Sequence, residues 1–271
     1  MKFKNVLVTG GSSGIGLDLA KAYAKQGANV VILARNQARL DDAVKDCLKV
    51  KLSEEQKILA FSVDVSSSQS LTQAVNDIKQ EVGTLDLLIL SAGIVQSIRF
   101  MDQSDDEFNN IMQTNVMGSR AVAKAFLPDM IKQGKGQVCF VSSLGGLITT
   151  FGYSAYSGSK FAIMGMAGAL RQELYSTGVG VSVLCPPEVD TPMVANEASH
   201  ILPETRFVKN IGGLLSPAAV TKATIKGVNK NQFIIIPGIL GKIAYMQARH
   251  MPNVFGWFVQ RMVGLAGRFI K

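Results

Sequence analysis

Seven apolar runs recur along this chain, and their spacing constrains the fold more than any other feature: "NVLVT" (5–9), "NVVILA" (29–34), "KILAFSV" (57–63), "LDLLIL" (85–90), "GQVCFVS" (136–142), "VGVSVLC" (179–185) and "QFIII" (232–236). Most are continuous apolar stretches rather than strict alternations, the pattern of strands covered on both faces of a parallel sheet. Helical patterns fill the intervals near 14–26, 37–50, 68–81, 104–127 and 153–176. This alternation predicts a doubly wound α/β sheet of seven parallel strands with helices on both faces. The chain has 271 residues, 47% of them hydrophobic, and no linker-like or repetitive tract, which fits a single domain spanning 1–271.

Ligands of such sheets sit beyond the carboxyl ends of the strands, so those positions carry the candidates. The first strand runs into Thr9-Gly10-Gly11-Ser12-Ser13-Gly14-Ile15-Gly16 and then a helix. Glycines let the backbone approach a ligand closely, and the first free N–H groups of the helix and its positive dipole end suit a pyrophosphate. Ser12 and Ser13 add hydroxyl donors. Between a clear strand and a clear helix, this turn reads as a dinucleotide cradle. The second strand ends "ILARNQAR", with Arg35 where a ribose-binding acid is expected in NAD-type units and Arg39 four residues on. A guanidinium there favours a 2′-phosphate, so the expected cofactor is NADP(H), as NADPH in a reductase. Asp64, followed by Val65, comes after the third strand as a candidate acceptor for the adenine amino group, its other reading being a helix cap. Ser91-Ala92-Gly93 after the fourth strand is small enough for a nicotinamide ribose to lie against Ala92 and Gly93.

Tyr156 and Lys160 stand four apart in a helical pattern that begins just after the fifth strand, and therefore share a helix face. A free phenol has a pKa near 10, and a nearby cation lowers it. Bringing it toward 7 takes about 4 kcal/mol of differential stabilisation, which a close ammonium and an oxidised nicotinamide together can supply. Ser157, Gly158 and Ser159 between them leave room for ligands.

Taken together, TGxxxGxG, the small-Ala-Gly turn, Asn115, Ser143 and YxxxK, in this order over residues 5 to about 192, resemble the short-chain dehydrogenase/reductase family. The resemblance implies a Rossmann-type sheet, a homo-oligomer and four catalytic residues. Tyr156 would protonate a carbonyl oxygen as hydride arrives, Ser143 would polarise that oxygen, and Lys160 would lower the tyrosine pKa and hold the ribose. Asn115 would anchor a water that relays protons to Lys160. Val189 and Thr191 match positions that bind the carboxamide, and Ser142 reads as structural. The chain departs from the family pattern in Pro186-Pro187, where Pro-Gly is usual, and in lacking paired asparagines near Ser91. "ARN", "FGYSAYSGSKFAI", "PPEVDTP" and "PETR" are further similar to the 3-ketodihydrosphingosine reductases within that family, implying a long-chain lipid ketone as substrate. The apolar segment 188–230 resembles the family's substrate lid. A reductase of 3-oxoacyl thioesters or another apolar ketone is the alternative within the enzymes. A non-catalytic NADP(H)-sensing protein is the alternative outside them, and the full Asn-Ser-Tyr-Lys set argues against it.

The net charge of +8 is uneven. Ten Lys/Arg and no acid lie between Thr205 and Lys271, while the first 204 residues carry 18 basic and 20 acidic groups. Within the basic C-terminal segment 239–271, residues 253–271 set Arg261, Gly264, Arg268 and Lys271 on one helix face. Phe255, Phe258, Met262, Val263, Ala266, Phe269 and Ile270 cover much of the rest. Such a helix, with Trp257 near its start, suits an anionic membrane surface, and packing against the domain or a second subunit is the equal alternative. Its apolar runs are too short to span a membrane. The aromatics are not interleaved with cations, which argues against nucleic acid. Three dispersed cysteines and two histidines fit reduced thiols and no metal site. With no signal-like N-terminal stretch, the expected location is cytoplasmic, at most peripheral on the cytoplasmic face of a membrane.

Overall fold

The computed structural model describes residues 2–269; Ile270 and Lys271 of the predicted C-terminal helix lie outside them. The strands β1 (Asn5–Thr9), β2 (Asn29–Ala34), β3 (Ile58–Ser62), β4 (Leu87–Leu90), β5 (Gly136–Val141) and β6 (Val179–Leu184) are the first six apolar runs, trimmed by a residue or two at some ends. Two short strands, β7 (Glu188–Val189) and β8 (Leu214–Leu215), pair with each other away from the main sheet. The seventh run contributes only Ile234–Ile235 as β9. The main sheet has the order β3-β2-β1-β4-β5-β6-β9, and every pairing in it is parallel.

Two cores explain why the runs are apolar throughout. Leu7, Val31, Leu88, Val138 and Val181 face one side, against helices α3 (Ser68–Val82), α5 (Ser119–Gln133) and α6 (Ser154–Glu173). Their sequence neighbours Val6, Val30, Leu87 and Cys139 face the other, against α1 (Gly14–Lys25), α2 (Gln37–Leu48) and α9 (Pro217–Asn229). Successive strand residues point to opposite faces, so both sets must be apolar.

The predicted helix over 104–127 is three pieces: α4 (Asp105–Met112), a π-helical turn (Gln113–Gly118) and α5. A capping box of Ser104 and Glu107 starts α4. Of the segment 188–230, residues 188–215 rise above the carboxyl edge of the sheet as β7, α7 (Pro192–Glu197), α8 (Pro203–Gly212) and β8. Helix α9 instead returns to the domain, with Val220 and Val228 fully buried beside α1. The chain closes with α10 (Ile239–His250) and α11 (Pro252–Phe269), the latter packed along α8.

Candidate active site

The order of the sheet reverses between β1 and β4, and a cleft of about 640 Å³ opens beyond their carboxyl ends. Every residue expected to bind cofactor lines it: Gly10, Ser12, Ser13, Gly14, Ile15 and Gly16 from the first turn, Arg35 and Arg39, Asp64 and Val65, Ala92 and Gly93, Tyr156 and Lys160, Val189 and Thr191. Two glycines in the turn have direct steric reasons. Gly10 has φ +63°, and a Cβ there would lie 2.9 Å from the Ala92 Cα. A Cβ on Gly16 would collide with the Gly10 carbonyl, so this glycine lets α1 close onto the turn. Ser13 occupies the N-cap of α1 without capping it through its side chain, which leaves first-turn N–H groups for an anion.

Arg35 and Arg39 are both exposed at the cleft edge. The Asn36 side chain accepts from the Arg39 N–H at 2.9 Å and so starts α2 beside them. Asp64 accepts from the Ser66 N–H at 2.9 Å and the Ser66 hydroxyl at 2.6 Å, and that hydroxyl is the main cause of its lowered pKa. The cap of α3 is Ser67, so Asp64 is not a helix cap.

Asn115 is fully buried in the π-helical turn. Its side chain accepts from the Ile94 N–H at 2.8 Å and donates to the Ile94 carbonyl at 3.0 Å and to Ser159 Oγ at 2.9 Å. A Cβ at Gly93 would lie 3.1 Å from Asn115 Oδ1 and 3.4 Å from Lys160 Nζ, so both groups converge on that glycine. Ser142 donates to the Lys160 carbonyl at 2.9 Å, a structural bond. Ser143 Oγ accepts from the Gly145 N–H at 3.0 Å and keeps its own proton to donate.

Lys160 Nζ donates to the Val141 carbonyl at 3.1 Å and stands 5.6 Å from the centre of the Tyr156 ring. Here burial acts against the expected shift, which drew on the ammonium together with an oxidised nicotinamide. The Tyr156 phenol is not lowered toward 7; burial pushes it up to about 12, opposed by the Ser143 hydroxyl, while the charge of Glu197 adds to the rise. Burial likewise pulls Lys160 down to about 8. Loss of water is the largest cause for both groups, and the ammonium is turned toward a carbonyl. The phenol therefore keeps its proton at neutral pH.

Residues 4–201 match the family model described as short chain dehydrogenase. The chain belongs to the short chain dehydrogenases. It is 39% identical to the 3-ketodihydrosphingosine reductase of Bos taurus and 38% identical to that of Mus musculus, in each case over 84% of this chain and 69% of the relative. A solved actinorhodin polyketide ketoreductase with NADPH superposes with a TM-score of 0.80 over 88% of this chain and 97% of its own, at 26% identity. Membership of this oxidoreductase family fits the convergence of a phenol, an ammonium and a hydroxyl on one edge of a dinucleotide-type cleft.

A second cavity, of about 350 Å³, continues from this edge. Ser143 and Tyr156 line both spaces. Apolar side chains including Ile148, Val208, Leu240, Ile243, Val259 and Met262 form much of its wall. Sequence reading missed this wall because α10 and α11 reach it only through tertiary packing. It also missed a polar group at the cavity mouth. The Tyr153 hydroxyl donates to Glu197, and Lys209 Nζ lies 2.8 Å from Glu197 and 3.0 Å from Glu188.

The two shifted groups set a pH dependence. Tyr156 stays protonated well past neutrality, whereas Lys160 loses its charge as pH rises through about 8. The expected pH profile of kcat/KM for ketone reduction is flat near neutrality and falls above about pH 8; a profile still level at pH 10 would contradict the role of Lys160.

Proposed function

We propose that this chain is an NADPH-dependent reductase of long-chain lipid ketones and that its substrate is 3-ketodihydrosphingosine. The observation that carries the reading is the apolar cavity joined to the cofactor cleft at Tyr156 and Ser143. A ketone oxygen placed between these two hydroxyls puts one arm of the substrate into an apolar space. The printed activities of the mammalian relatives name the same ketone.

The cleft suits NADPH on its own chemistry. The uncapped start of α1 accepts a pyrophosphate, the cation pair Arg35 and Arg39 suits a 2′-phosphate, and Val189 and Thr191 stand by the nicotinamide end. NADPH supplies hydride to the carbonyl carbon. The roles of the chain follow: Ser143 donates a hydrogen bond to the ketone oxygen, and Tyr156 gives that oxygen its proton. Lys160, held against the Val141 carbonyl, presents a cation to the ribose hydroxyls and to the phenolate left behind. Asn115 fixes the Ile94 backbone and Ser159 and so holds the floor of the site in register. A proton relay through water at Asn115 belongs to this proposal.

The lid of this reading comprises residues 188–215 with α10 and α11. Leu240, Ile243 and Phe258 belong both to the cavity wall and to the exposed surface, so a chain longer than the cavity leaves through an apolar rim. Around that rim the apolar residues of α11 divide. Phe255, Val259, Met262 and Ala266 turn toward the protein, while Val254, Trp257, Phe258 and Leu265 are exposed, with Arg261 stacked 5.5 Å from the Trp257 ring. Helix α10 adds exposed Ile239, Leu240, Ile243 and Met246 beside Lys242 and Arg249. Packing against the domain thus accounts for one stripe of the helix and leaves the other exposed. We assign the exposed stripe to an anionic membrane surface, from which an insoluble ketone enters. No helix among the described residues is long and apolar enough to cross a membrane.

Three outcomes test this function. Tyr156→Phe removes the proton donor and is expected to lower kcat for NADPH-dependent reduction of 3-ketodihydrosphingosine by about 100-fold or more, with NADPH affinity kept; retained turnover would sink the catalytic reading. Arg35→Asp is expected to weaken NADPH at least about tenfold relative to NADH, measured by fluorescence titration; an unchanged ratio would remove the phosphate argument. The wild-type chain is expected to sediment with vesicles containing anionic phospholipid. A Val254→Glu, Trp257→Glu variant should do so at least about tenfold less, and equal sedimentation would reject the surface.

A further inference from the structure

The junction of the two cavities holds a buried charge that the reaction itself does not use. Ser143, Tyr156, Pro187, Met193 and Glu197 are among the residues that line both spaces, and Glu197 is the one ionisable acid among the described residues that does so. It ends α7, and its side chain is 4% exposed. Its carboxylate accepts from the Tyr153 hydroxyl and from Lys209 Nζ at 2.8 Å. The Tyr153 ring lies 5.2 Å from the Tyr156 ring, so this bond ties the carboxylate to the neighbourhood of the candidate proton donor.

The carboxylate of Glu197 keeps room for a further donor. Lys209 Nζ donates to Glu197 and to the Tyr153 hydroxyl at 3.1 Å, and it stands 3.0 Å from Glu188 as an ion pair. Arg206 also pairs with Glu188, at 3.1 Å, so the two acids and two bases of this cluster balance. A carboxylate has about four acceptor positions, and the two named bonds leave Glu197 with capacity for another donor. A carboxylate with free acceptor positions beside an apolar cavity offers an entering ammonium a charge-assisted hydrogen bond.

We infer that Glu197 is the counter-ion for an ammonium group one carbon from the ketone carbon, and that it makes the site select α-amino ketones over plain ketones. This deepens the proposed function and rests on it: 3-ketodihydrosphingosine carries its amine at that carbon. With the ketone oxygen at Tyr156 and Ser143 and the alkyl chain in the apolar cavity, the adjacent amine falls at the junction that Glu197 lines. Lys209 and Tyr153 act as positioning residues that hold the carboxylate there.

The test compares kcat/KM, with NADPH, for 3-ketodihydrosphingosine and for a ketone of equal chain length that lacks the amine. The wild-type enzyme is expected to prefer the amino ketone at least about tenfold, and Glu197→Gln is expected to cut that preference about tenfold or more. N-acetylation of the amino ketone, which removes its charge, should cost the wild-type enzyme a similar factor. A wild-type preference near unity, or one unchanged in Glu197→Gln, would overturn the inference while leaving a lipid-ketone reductase in place. Failure of the wild-type enzyme to reduce either ketone would overturn the proposed function itself. Should the variant not fold, as its thermal unfolding would reveal, the wild-type comparison of free and N-acetylated substrate decides alone.

Discussion

In-register parallel pairing is the constraint on which the rest of the molecule depends. Thr9 pairs with Leu33 on one side and Leu90 on the other, and Leu90 pairs with Phe140. Four strands therefore end at one level, and the loops that follow them open onto the same cleft. Because each such strand is buried on both faces, its sequence has little freedom for polar chemistry. The chemistry is pushed to the residues just past the strand: the glycine turn, Arg35, Gly93 and Ser143. Lys160 reaches the same level from a helix, by donating to the carbonyl of Val141, the last residue of β5. The ladder that stabilises the fold thus also gathers the functional groups.

What was legible in the sequence follows from how local its cause is. The turn Gly10–Gly16 is set by contacts within one strand–turn–helix unit, and its glycines could be read from spacing alone. Tyr156 and Lys160 needed only the period of a helix. The π-helical turn around Asn115 was not legible, because a helical period over 104–127 looks the same with or without one inserted residue. That turn carries Asn115, whose bonds go to Ile94 and Ser159, 21 and 44 residues away. Glu197, Lys209 and Glu188 were invisible for the same reason. Each is an ordinary surface-type residue in sequence, and only the folding of α7 and α8 over β7 buries them together.

The direction of the Tyr156 shift shows where sequence-level electrostatics fails. Spacing established that a cation and a phenol share a helix face, and it left unstated how much water either one loses. In the folded chain Lys160 is buried and Tyr156 half-buried, and desolvation is the largest cause for each, raising the phenol and lowering the amine. The two shifts act together. A neutral phenol is a competent acid for the forward reaction, and a weakened ammonium releases its proton more readily than an exposed lysine. Burial thus favours proton delivery to an incoming ketone, whereas a strong ion pair would favour a standing phenolate and the reverse, oxidative direction.

The C-terminal quarter joins these arguments to the surface. The same helices that close the apolar cavity carry the exposed apolar stripe, and three side chains, Leu240, Ile243 and Phe258, are common to both. A helix pair with only one of these duties could be polar on its far side. Here a polar far side would set a barrier between the cavity and any apolar phase outside, since an alkyl chain crossing it would be wetted at the rim. Absence of acids after Glu204 keeps that rim positive, and the acids nearest the reaction, Glu188 and Glu197, lie inside, beneath α8. On the proposed reading, an amphiphilic cation with a long tail meets an apolar entrance first and the Glu197 carboxylate further in.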